Sequence, residues 1–214
     1  MKISFKSLVI TLIVFYIVGA TGIIVPETHH AFSNLIPVAL ILNAILLTLF
    51  HRPGINIRTT LVFLFIAFFS FFIEVAGVKT GKIFGSYSYG DSLGPKILET
   101  PVLIGLNWLM LVYCSKVASD RLSENSTARI IIAPFLMVIY DLVLEQSAPG
   151  LEMWHWSGGS VPVKNYLAWF ILALLFHLIV KYCKISFSNK MAIPVLVVQF
   201  LFFVVLWINF MLTV

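Results

Sequence analysis

Three acidic residues stand in surroundings where acids are expensive. Glu74 is preceded by a run of apolar residues and followed by Val75-Ala76-Gly77-Val78. A charge at membrane depth costs at least about 2.5–3.5 kcal/mol, so such a residue normally faces a protein interior and has a partner. It can serve chemistry or simply accept a hydrogen bond from a neighbouring Tyr or Asn. Asp141 and Glu145 form a second acidic position. Their i, i+4 spacing puts both carboxyls on one helix face. Two carboxyls that close, in low dielectric, do not both hold a charge easily. A carboxylic acid kept neutral near pH 7 is what general-acid work requires. The plainer alternative is an acid pair solvated by water at the lipid headgroups.

Two aromatic groups frame these acids. Ser86-Tyr87-Ser88-Tyr89 alternates, which puts both phenols on one side of an extended piece. Trp154, Trp156, Asn165, Tyr166 and Trp169 form the other group. A Trp is most often part of an interfacial belt. The chemical alternative is a set of ring faces lining a pocket where positive charge develops, since ring faces stabilise cations.

The elements that must position these side chains are membrane helices. The chain has 214 residues, of which 60% are hydrophobic and 11% charged, with a mean hydropathy of +1.03. A soluble domain carries about 25% charge. This composition excludes a soluble enzyme, a nucleic-acid module and a disordered chain. Seven segments are near the ~20 residues a spanning helix needs: 8–25, 35–50, 61–78, 101–118, 130–146, 166–183 and 191–214, the second being the shortest. The expectation is a single all-α polytopic membrane bundle over residues 1–214. No convincing cleavage site follows the first span, so it is read as retained.

Charge sets the orientation. With the N-terminus inside, ten basic residues (Lys2, Lys6, Arg52, Arg58, Lys116, Arg121, Arg129, Lys181, Lys184 and Lys190) lie on the inner side. Lys79, Lys82, Lys96 and Lys164 lie outside, which satisfies the positive-inside rule. Only Asp120 and Glu124 of the acids lie inside. The long loops 79–100 and 147–165, rich in Gly, Pro, Tyr and Trp, fall outside, and long ordered loops tend to carry sites. Glu99 and Pro101 suit the opening turn of the fourth helix. The net charge of +5 therefore reports topology and predicts no nucleic-acid partner.

Other chemistries lack their residues. Cys114 and Cys183 are too few for a disulfide framework or a four-thiolate metal site. His29, His30 and His155 fall on the outer side, but no H-x-x-x-H or H-x-x-H-H box exists, so no metal is assigned. His177 reads as an interhelical hydrogen-bonding group and His51 as a helix-end residue. The last span has no Lys for a retinal Schiff base, and no D-D-x-x-D, G-x-S-x-G or P-loop occurs. Asn125 heads an N-S-T sequon on the inner side, read as chance.

Taken together, the motifs resemble those of the integral-membrane carotenoid-biosynthesis family, whose described members are carotenoid hydratases of the γ-carotene and bisanhydrobacterioruberin type. The resemblance rests on G-x-x-x-G-x-Y-x-Y (Gly81 to Tyr89), L-G-P-K (Leu93 to Lys96), Pro101 and Trp108. It continues in Asp141-x-x-x-Glu145-x-x-Ala148, with Gln146 where the family pattern has Pro. W-x-W (Trp154, Trp156) and V-P-x-x-N-Y-x-x-W (Val161 to Trp169) complete it. It covers about residues 70–170.

The resemblance implies addition of water to the terminal C=C of a linear (ψ) carotenoid end group, giving a tertiary alcohol without metal or cofactor. Chemistry then suggests roles. Asp141 or Glu145 donates the proton, and Glu74 is its partner or the base for water. Tyr87, Tyr89, Trp154 and Trp156 flank the cation, and Asn165 orients water. Lys96, Trp108 and Trp169 join the expected substrate-binding set through the shared motifs. The expected partners are a lipophilic carotenoid, membrane lipid and other enzymes of the carotenoid pathway, in a bacterial inner membrane. Two competing readings remain: a small proton-coupled transporter, and a non-catalytic pigment-binding assembly subunit. Transport sites sit near the midplane in repeated, broken helices, whereas these acids gather at one face and no repeat is visible.

Overall fold

A computed structural model describes residues 4–213. Lys2, counted above among the inner basic residues, and Val214, the expected end of the last span, lie outside them. The elements in chain order are α1 (Phe5–Ile24), α2 (His29–Ser33), α3 (Ile36–Leu49), α4 (Ile57–Thr80), β1 (Tyr87–Tyr89), β2 (Lys96–Ile97), β3 (Thr100–Pro101), α5 (Leu103–Leu122), α6 (Ser126–Ser147), β4 (Trp154–Trp156), α7 (Val163–Tyr182) and α8 (Ala192–Thr213).

The polytopic bundle is as expected, with one instructive departure. Among the described residues, six helical segments are long and apolar enough to cross a membrane: α1, the α2–α3 unit (His29–Leu49), α4, α6, α7 and α8. The fourth expected span, α5, falls short because it carries Asn107, Lys116, Asp120 and Arg121. Its position explains its composition. α5 packs against α3, α4, α6, α7 and α8, and twelve of its twenty residues are buried. A helix sheathed by other helices needs no apolar face toward lipid. The outer helices instead expose large apolar side chains such as Ile17, Phe68 and Ile171.

Local chemistry sets the helix ends. Asn56 and Asn125 cap α4 and α6 by accepting from the backbone N–H groups of Thr59 and of Thr127 and Ala128. The cap is the structural use of Asn125 in the N-S-T stretch. α4 stops at Gly81, whose φ of +62° is a left-handed closure that glycine takes without penalty. The second span is short as a single helix, and α2 supplies its remaining turns.

Glu99 and Pro101 do not open the fourth helix. They belong to a tight hairpin in which β2 pairs with β3, Lys96 opposite Pro101, and Leu98 and Glu99 turn with positive φ. The helix begins two residues later at Leu103, after the hairpin closes through Val102 N–H donating to the Pro95 carbonyl.

Antiparallel neighbours bring the chemistry to one end. Glu74 lies in the C-terminal part of α4, and Asp141 and Glu145 lie in that of α6. Trp108, Asn165 and Trp169 lie in the N-terminal parts of α5 and α7. Over this end lies a two-stranded antiparallel sheet of β1 and β4, pairing Tyr87 with Trp156 and Tyr89 with Trp154. In the expected orientation it is the outer end.

Candidate active site

Glu74 is 4% exposed and accepts three hydrogen bonds. Tyr87 Oη donates to its Oε2 at 2.6 Å, and Tyr89 Oη donates to the same oxygen at 2.8 Å. Trp108 Nε1 donates to Oε1 at 2.8 Å. All three donate to the carboxyl in this arrangement, and of the three only the Trp108 indole is unable to accept. The two phenols come from β1, whose alternation points Tyr87 and Tyr89 inward and Ser88 outward. Burial, and then the charge of Glu74, push both phenols well above their ordinary pKa, so they remain protonated donors.

Glu145 is the second acid centre, also 4% exposed. Trp154 Nε1 and Trp156 Nε1 donate to its Oε2 at 2.9 and 2.8 Å, and Asn165 Nδ2 donates to Oε1 at 3.2 Å. Asn165 Nδ2 also donates to Asp141 Oδ2 at 2.9 Å. One amide group therefore ties the two acids of α6 together. The other oxygen of Asp141, Oδ1, is buried with no hydrogen-bond partner among the described residues. An unpartnered buried oxygen on an acid is unusual, because buried polar groups are nearly always bonded, and it leaves Asp141 a position for a proton.

Aromatic rings close the space between the centres. Trp108 and Trp169 stack with centroids 4.1 Å apart. Tyr87 packs on Trp156 at 5.0 Å, and Tyr89 meets Trp154 edge-on at 6.0 Å. A cavity here is lined by Glu74, Glu145 and Asn165 together with the rings of Tyr87, Tyr89, Trp154, Trp156 and Trp169. Its volume, as room for the centre of a water molecule, is about 20 Å³, enough for one water.

The expected site residues converge, with two qualifications. Lys96 stands apart: its Nζ donates to the Tyr89 carbonyl at 2.9 Å and pairs with Asp91 Oδ1 at 2.8 Å, pinning the hairpin to β1. That hydrogen bond and the ammonium charge hold the Asp91 carboxyl below its usual range. Neither Asp141 nor Trp108 lines the cavity: Asp141 backs Asn165 from inside α6, and Trp108 reaches the site through its bond to Glu74.

Three further cavity residues, Phe84, Ile104 and Asn107, were not singled out from sequence. Asn107 carries a signal in retrospect: it is the one amide in the apolar run from Pro101 to Val112, beside Trp108. His177 is the interhelical group expected of it, meeting Ser115 Oγ at 3.1 Å and the Ala173 carbonyl at 2.7 Å. Among the described residues no three His, Cys, Asp or Glu side chains converge as metal ligands.

The chain is similar to known proteins over this region. A family model described as "Carotenoid biosynthesis protein" matches residues 35–214, which include the whole site. A bisanhydrobacterioruberin hydratase from Haloarcula japonica is 28% identical over 127 residues, 56% of this chain and 43% of that protein. The match thus spans less than half of the relative's length. No solved structure matches the chain.

Proposed function

Because the chain belongs to the carotenoid biosynthesis protein family, we propose that it is a hydratase that adds water to the terminal C=C of a linear carotenoid end group. The product is a tertiary alcohol. One observation carries the reading: Glu74 and Glu145, on different helices, line one water-sized cavity walled by aromatic rings. The name of the Haloarcula japonica relative points the same way.

Hydration of such an alkene has three needs. The less substituted carbon must take a proton, the tertiary cation must be stabilised, and water must be delivered. The π electrons form the new C–H bond with a proton from Glu145, which faces the cavity. Asp141, tied to it through Asn165, shares and resupplies that proton. The cation forms among the faces of Tyr87, Tyr89, Trp154 and Trp156, where ring electrons oppose its charge. A water molecule adds through oxygen and gives its proton to Glu74, which lines the same cavity from α4. The proton then returns to the Asp141–Glu145 pair, so alkene plus water gives alcohol with nothing left over.

Asn165 spends its amide on the two acids, so its role is to hold them in register. Asn107, lining the cavity without a side-chain bond among the described residues, orients the water. Lys96 positions Tyr89 through its backbone carbonyl. Positioned proton transfer contributes roughly 10²–10⁴-fold, and stabilisation of the cation by fixed charge and rings supplies the larger share of the remainder. The polyene dissolves only in lipid, which is why the reaction belongs inside a membrane bundle.

The test is expression in a lycopene-producing bacterium, with extracted pigments separated and weighed by mass spectrometry. A product heavier by one water is expected. Unchanged lycopene despite confirmed membrane insertion would refute the hydratase.

A further inference from the structure

The acid cavity is the last of three adjoining voids. The outermost is a groove of about 260 Å³ among α1, α2–α3 and α8, with Gly19 and Ala39 among its walls. It opens to the lipid-facing surface beside Val18 and Leu35, which are 53% and 50% exposed. A smaller void of about 20 Å³ lies behind it and shares Ile36, Leu40, Gln199 and Phe203 with the groove. The same small void shares Ile104, Asn107 and Trp154 with the cavity at Glu74 and Glu145.

We propose that this row is the lateral entry path and binding site for the polyene: one linear end threads from the lipid through the α1–α3–α8 groove to the acids, and the remaining chain lies in the groove. This rests on the hydratase reading for the identity of the occupant. The groove fits a long apolar chain, because its lining is hydrocarbon and aromatic apart from Gly19, Tyr16 and Gln199, and Asn43 engages the Tyr16 hydroxyl. A groove that merely held a lipid acyl chain would have no reason to continue inward, whereas this one adjoins voids that end at two carboxyls. The inner voids are narrower than an isoprenoid end, so entry displaces the shared side chains, chiefly Leu40, Phe203 and Ile104. Because the row ends at the acids, one end group is presented at a time.

The path is tested by filling the groove far from the acids. The ideal Cβ at Gly19 meets only the Phe202 ring, at 3.8 Å, so Gly19→Phe projects a ring into the groove. Ala39→Phe does so from the opposite wall, and Ala39→Leu is a milder filling. Ile171→Phe, on the exposed surface of α7, is the control.

Each protein is placed in lipid nanodiscs with lycopene, and both retained pigment and hydrated product are measured on samples that elute and melt normally. Both Phe variants are expected to lose about tenfold or more in each readout, the Leu variant less, and the control nothing. Wild-type retention of lycopene, lost on filling, supports the path even if no hydrated product forms; that result sinks only the hydratase. Full product and retention from both filled variants, or an equal loss in Ile171→Phe, overturns the path and leaves the hydratase standing. Altered oligomeric state with unchanged lycopene also overturns it, assigning the groove to a second copy of the chain.

Discussion

Tyr89 and Trp154 face each other across the β1–β4 pair, and each gives its polar tip to a different acid. The Tyr89 hydroxyl goes to Glu74 and the Trp154 indole N–H to Glu145. Tyr87 and Trp156, the next inward-facing pair, repeat the arrangement. A two-stranded sheet too small to be stable alone thus couples the ends of α4 and α6. Its register sets which ring serves which carboxyl.

Glu74→Gln is expected to lower hydration about 10²–10⁴-fold. It replaces an acceptor by a group that also donates, opposite three donors. The amide oxygen keeps the Trp108 indole, and the Tyr87 and Tyr89 hydroxyls must turn from donating to accepting, at about 0.5–1.5 kcal/mol. Pigment chromatography gives the first quantity and thermal melting in detergent the second. Full activity in this variant would remove Glu74 from the mechanism.

Glu145→Gln is expected to cost about 10²-fold or more in product formation, the scale of a lost general acid. Asp141→Asn, which leaves the cavity lining in place, is expected to cost less, about tenfold. Initial rates in membranes measure both. If both variants keep full activity, the acid pair is not the proton source.

Trp156→Phe keeps a ring at the cavity but removes one of the two indole donors to Glu145. A fall of about tenfold in kcat, with the KM for lycopene nearly unchanged, is expected, since 1.4 kcal/mol corresponds to a factor of ten. A rise in KM alone would make the indole a simple contact surface.

Tyr87 and Tyr89 are expected to resist ionisation. Burial and the Glu74 charge raise both phenols, and a raised pKa favours the protonated form, so neither contributes tyrosinate near pH 11, about a unit above the ordinary value. The ultraviolet tyrosinate signal at that pH should be the same in wild type and Tyr87→Phe. A drop equal to one tyrosine would show that Tyr87 titrates.

Gly105→Ala tests how the helices are set. A methyl there would run into the Ala67 carbonyl of α4. Gly105 is one turn before Trp108, and Ala67 is two turns before Glu74. The variant should push the helices apart, lose about 1–3 kcal/mol of stability and weaken the Trp108–Glu74 bond. Unchanged melting and activity would contradict the close approach.

Composition and periodicity alone were enough for the membrane bundle and for seven helical segments within a few residues of their observed ends. A hydrocarbon solvent permits little else for a chain this apolar. The i, i+4 acids, the alternating tyrosines and the paired tryptophans were also readable, because local spacing decides which way neighbouring side chains point. Tertiary structure decided what no local spacing encodes. It made α5 a buried central helix, moved Glu99 and Pro101 into a hairpin, set Lys96 to pin a strand, and drew Asn107 into the cavity. Above all it chose the partners: three donors on Glu74, two indoles on Glu145 and one amide between Asp141 and Glu145. These contacts join residues from separate elements, and only the packing of α4, α5, α6 and α7 beneath the β1–β4 sheet brings them within hydrogen-bonding reach.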